Sequence, residues 1–186
     1  MAGPAINDID MLAYGMPISV FENRFDEPIV FSLEPHDERH ELPPLARIGV
    51  RYSFGPDQMD RTFADVGRNE IRFWCDSEHR EVEIIYPNAF DLLLYDICVK
   101  GGFCGGLVND QPSHVTHLLP TTGIVTAEEF ATLVLRSEGD EGSQPANVER
   151  WSERLQSQFV ARMGRSSVPA TELAQNLAQP FDISLR

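Results

Sequence analysis

A chain of 186 residues, 42% hydrophobic and 9% aromatic, has the length of one compact domain and enough apolar side chains for a core, which excludes wholesale disorder, a fibrous repeat and a disulfide-stapled miniprotein. Twenty-nine acids against fifteen bases give a formal charge of −14, which opposes general attraction to nucleic-acid phosphate or anionic lipid and suits a basic partner. Three cysteines are too few and odd in number for a disulfide framework, no N-terminal stretch reads as a secretion signal, and no run reaches the roughly 18 apolar residues of a membrane span, so a cytoplasmic setting is expected.

The first half reads as β structure. The clearest strand is Ala46 to Phe54, where Ile48, Val50, Tyr52 and Phe54 alternate with Arg47, Gly49, Arg51 and Ser53, one set for a core and the other for water. Shorter segments of the same kind are Met16 to Glu22, Pro28 to Leu33, Ile71 to Cys75 and Glu81 to Tyr86. Turn-forming stretches such as Phe54-Gly55-Pro56-Asp57 and Asp76-Ser77-Glu78-His79 separate them. Strands joined by short connections with no interleaved helices predict an antiparallel meander rather than a doubly wound sheet.

After Pro87 the period changes. Phe90, Leu93, Leu94, Ile97 and Cys98 share one helical face between an Asn88 cap and a Gly101 stop, with a buried strand as the alternative. Thr126 and Glu129 form a capping box that opens a helix running to about Glu138. A polar loop, 139–146, precedes a helix from Asn147 to Met163 whose stripe of Val148, Trp151, Leu155, Phe159 and Met163 suggests packing on the protein's own sheet, and Gly164 stops it. A last short helix is expected to start at Ser167-Val168-Pro169 and end before Pro180. The fold class is therefore α+β: an antiparallel sheet of about five strands over residues 14–87, then about four helices packed on one face. A single domain, 1–186, is expected, with 146–186 as a semi-independent helical tail.

Three patterns carry candidate chemistry. His36 and His40 stand at i and i+4 with Asp37 after the first, the H-E-x-x-H arrangement of zincins with aspartate in the glutamate position. Pro35, Pro43 and Pro44 leave no room for the supporting helix, so a solvated acidic loop between strands is expected. Cys98, Cys104, His114 and His117 have the donor types of a tetrahedral structural zinc site, but neither the Cys nor the His spacing is that of a zinc finger. Gly102-Phe103-Cys104-Gly105-Gly106 has the G-x-C-x-G form of a nucleophile elbow, with His79, His114 or His117 as the base that would activate Cys104. Asn109-Asp110-Gln111-Pro112 interrupts the helix an elbow requires, and an unreactive thiol in a glycine-rich connection is the simpler expectation.

Residues 1–100 hold nineteen acids and nine bases, against ten and six in 101–186, so the β half is the acidic one. Asp57, Asp60, Glu78 and Glu81, near its strand connections, are the candidate partner-binding residues. The sequence thus predicts a non-enzymatic acidic protein that binds a basic protein, in an inhibitor-, immunity- or adaptor-like role, with no cofactor and no metal. The alternative is a small thiol- or metal-dependent enzyme built on Cys104 with His114 and His117. The basic arginines beside the Trp151 stripe would also suit a partner helix.

Overall fold

The structure, a computed structural model, describes residues 16–182 except 56–57, 78, 104, 109–110, 140–144 and 177. It is α+β. The chain divides into two compact units, one containing the residues up to Tyr86 together with those from Ala178 onward, the other Pro87–Leu177.

Among its described residues the first unit holds seven strands: β1 (Ile18–Glu22), β2 (Ile29–Glu34), β3 (Glu38–Leu42), β4 (Arg47–Ser53), β5 (Phe63–Val66), β6 (Glu70–Trp74) and β7 (His79–Ile85). All five expected strands are present. The two additional ones, β3 and β5, lack apolar alternation: β3 buries only Leu42, and every residue of β5 is exposed. The expected meander is corrected. β1, β4 and β7 form one antiparallel sheet, and β3, β2, β6 and β5 a second, in which β2 and β6 run parallel. The reason is burial. Ile48, Val50 and Tyr52 line one face of β4, and Phe31, Leu33 and Phe73 one face of the second sheet, so each sheet has an apolar side that the other covers. Phe21 of β1 meets Phe31 at 5.3 Å and Phe73 at 5.2 Å between ring centroids. Each large side chain buried in this way contributes roughly 1.5–3 kcal/mol.

The outward side of β4 is not simply wet. Residues Ala178–Asp182 lie across it, with Arg47 Nη1 donating to the Ala178 carbonyl at 3.1 Å and the Arg51 guanidinium 4.2 Å from the Phe181 ring centroid. The Phe181 amide donates to Glu83 of β7.

The second unit begins with α1 (Ala89–Tyr95), capped by Asn88 and Asp91 in a reciprocal box, and continues as a π-helical turn, Asp96–Lys100, that ends at Gly101. Then come β8 (Gly106–Val108), β9 (Gln111–Ser113), α2 (Val115–Leu118), β10 (Ile124–Thr126), α3 (Ala127–Ser137), α4 (Pro145–Met163) and β11 (Ser167–Pro169). The Thr126–Glu129 box opens α3 as expected. Leu155 and Phe159 of α4 are wholly buried, with α1 and α3 as the partners of the stripe where the sequence suggested the sheet; Phe130 and Phe159 rings lie 5.1 Å apart. The expected last helix is corrected: Ser167–Pro169 is a strand pairing with β10, because Val168 buries itself opposite Val125, and among the described residues the 3-10 turns Ala170–Glu172 and Pro180–Asp182 follow it. Among the described residues no helix is long and apolar enough to cross a membrane.

Candidate functional site

The second sheet of the first unit has an unusual outer face. Because Phe31, Leu33, Ile71 and Phe73 point inward, Val30, Ser32 and Glu34 of β2 and Glu70, Arg72 and Trp74 of β6 point outward. The register adds Phe63 and Asp65 of β5, opposite Trp74 and Arg72, and Arg39 and Glu41 of β3, opposite Ser32 and Val30. Four carboxylates thus share the face with two guanidiniums. Glu70 accepts from Ser32 Oγ at 2.9 Å and from Arg72 Nε at 2.9 Å, and these bonds, Arg72's first, hold its carboxyl below the usual range.

At one corner Phe63 and Trp74 stack with centroids 5.8 Å apart and planes 10° from parallel. Yet Phe63 is 56% exposed and Trp74 39%. Nothing in the sheet covers them. β5 is an edge strand exposed on both sides, and among the described residues no strand pairs with its outer edge. The hairpin that forms the pair turns at Gly67, whose amide donates to the Glu70 carbonyl at 2.8 Å. Sequence reasoning missed this site because Phe63-Ala-Asp-Val66 shows no buried alternation. The readable signal was an aromatic on each side of the Gly67-Arg68-Asn69-Glu70 connection, Phe63 four residues before it and Trp74 four residues after it.

Of the four charged residues singled out from the sequence, two are described. Asp60 precedes β5 and accepts the Thr62 amide at 2.8 Å, while Glu81 sits on β7 of the other sheet, where Arg51 donates to it at 3.3 Å. Asp57 and Glu78 lie outside the described residues.

Of the cysteine–histidine candidates, the structure brings together Cys98 and His114, with Sγ 3.5 Å from Nε2. His114 is the N-cap of α2; its Nδ1 accepts from the Thr116 amide at 3.3 Å and lies 2.8 Å from Thr116 Oγ1. Burial, and then the neighbouring His117, push the imidazole below its usual range, with Glu138 pulling the other way. The His114 and His117 rings are 6.3 Å apart, and His117 is exposed. Cys104 lies outside the described residues, and His79 opens β7 in the first unit. Cys75 is buried in the first core, which pushes its thiol up.

The His36–His40 segment is a hairpin turn running into β3, so the helical spacing that would align two imidazoles does not arise. His40 Nε2 instead lies 2.8 Å from Glu38 Oε1. Among the described residues no three His, Cys, Asp or Glu side chains converge as a metal site. Compared with known proteins, the chain matches no family, no curated protein and no solved structure.

Proposed function

We propose that the chain is a cytoplasmic protein-binding module whose β5 edge accepts an extended basic segment of a partner protein. The observation that carries this reading is the stacked, half-exposed Phe63–Trp74 pair on a face with an excess of carboxylates. Water-exposed stacked aromatics forgo the burial that normally justifies their presence in a sheet, and aromatic anchors of this kind dominate binding energy at interfaces. An arginine or lysine laid on the rings gains cation–π attraction, with Glu34, the register partner of Trp74, and Asp65, two residues along β5 from Phe63, on the same face. The open edge of β5 offers the backbone bonds for an added strand, so side chains give selectivity and main chain gives affinity. A short edge carrying Asp65 is an ordinary guard against self-pairing, but the guard does not require two aromatics. The same carboxylates disfavour phosphate, which sets nucleic acid aside as the ligand.

The test is selection from a random displayed peptide library. Wild-type protein should enrich extended sequences with alternate arginine or lysine, and Trp74→Ala and Asp65→Lys should each lose that enrichment. Enrichment of acidic or uncharged peptides, or a basic consensus indifferent to both substitutions, would overturn the proposal.

A further inference from the structure

The geometry points to Cys98 as a thiol activated by His114, open to small uncharged electrophiles. The inference is independent of the β5 edge, since both residues belong to the second unit. It starts from the tautomer of His114. A backbone amide can only donate, so the Thr116 N–H at 3.3 Å makes Nδ1 the acceptor, and the hydroxyl of the same residue at 2.8 Å can donate to it as well. The ring proton must then sit on Nε2, the nitrogen 3.5 Å from Cys98 Sγ. The imidazole is a neutral donor, because burial and His117 both disfavour its charged form, and Glu138, the acid that faces it, only partly offsets them.

A donor aimed at sulfur favours the thiolate over the thiol, since the bond strengthens when the acceptor gains charge. The position of Cys98 near a helix C-terminus works the other way, through the partial negative charge there. That field is weaker than a charge-assisted hydrogen bond, and Lys100 in the same turn is ion-paired with Asp96 at 3.7 Å. Cys98 sits in a π-helical turn, a distortion that recurs at functional sites. Here it places Cys98 partly buried against the core of the second unit while still leaving it within reach of solvent. In reaction the thiol proton goes to solvent. The sulfur then forms a bond to the electrophilic carbon, and the leaving group departs with the electron pair of the bond it breaks.

Iodoacetamide is the probe, and the chain suits it. Cleavage after Arg72, Arg80, Lys100 and Arg136 puts Cys75, Cys98 and Cys104 in three separate peptides, so each is read alone. The rate at Cys98 in the wild-type chain is expected to reach its plateau with a midpoint at least about one pH unit below the ordinary thiol value of about 8.5. At pH 7, His114→Leu should slow that peptide roughly three- to tenfold, the loss being tempered because a more basic thiolate is a better nucleophile. His114→Gln, which can still donate an N–H, should recover part of the rate. A wild-type midpoint at the ordinary value overturns the inference without recourse to any variant. So does a Cys98 rate unchanged in His114→Leu, or a His114→Gln rate no better than that of His114→Leu.

Discussion

A Cβ on Gly49 would stand 2.4 Å from the Cβ of Pro180, closer than any two such atoms approach. The C-terminal segment therefore rests on the bare backbone of β4, and Phe181, which follows Pro180, is 3.0 Å from the same point. On strand propensity alone Gly49→Ala should help by roughly 0.5–1 kcal/mol. Overpacking at this contact should win, giving a net loss of about 1–3 kcal/mol in urea unfolding of the whole chain. A gain in stability would show that residues 178–182 do not lie on β4.

Phe159 and Trp151 share a helical stripe but not an environment. Phe159 is wholly buried between α3 and α4, whereas Trp151 is half-buried with its ring edge-on to Phe103 at 6.2 Å. Phe159→Ala should cost about 3–5 kcal/mol and Trp151→Ala clearly less. Equal losses in chemical denaturation would contradict this placement.

The Thr126–Glu129 box sets an acid dependence. Glu129 accepts from the Thr126 amide and hydroxyl, and these bonds, the amide's first, hold its carboxyl below the usual carboxylate range. A depressed folded value means that the contribution is present above about pH 4.5 and is lost as the pH falls through the folded value. The stability difference between wild type and Glu129→Ala should therefore narrow on acidification and persist near neutrality. A difference that is constant from pH 7 to about pH 3 would refute the box as an electrostatic cap.

Cys75 has no exposed surface and its thiol is pushed up, chiefly by burial, so it should resist alkylation in the native chain and react only on unfolding. Labelling through a urea gradient checks this. Modification of Cys75 before the transition would place it outside the core.

The legible parts of the fold were those where one local rule acts alone. Asn88, Thr126 and Gly164 mark helix ends by short-range hydrogen bonding or positive φ, and each stands where its sequence neighbours put it. The α4 stripe was readable as buried, but its partner was not, because periodicity specifies a face and says nothing about what covers it. The sheet order failed for the same reason. Alternation in β2 and β4 announces apolar faces without saying that they belong to two sheets facing each other. Edge strands were the least visible, since β5 buries nothing and therefore leaves no pattern. The acidic excess pointed to the β half, yet Glu81 already pairs with Arg51, and the aromatic anchor at Phe63 and Trp74 was invisible until the strand pairing set them side by side. Likewise Cys98 and His114, linked to each other in the sequence only as two of four metal donors, meet through a π-helical turn and a helix cap.

The most direct test of the β5 edge as a docking site is a titration of the isotopically labelled chain with a short peptide of alternating arginine and threonine, followed by amide and indole chemical shifts. The account predicts shifts concentrated on Phe63–Val66 and on the Trp74 indole. They should weaken as salt shortens the screening length from about 10 Å at 0.1 M toward about 3 Å at 1 M, and vanish in Trp74→Ala. Shifts spread evenly over the acidic surface, centred away from β5, or unchanged in Trp74→Ala would contradict it.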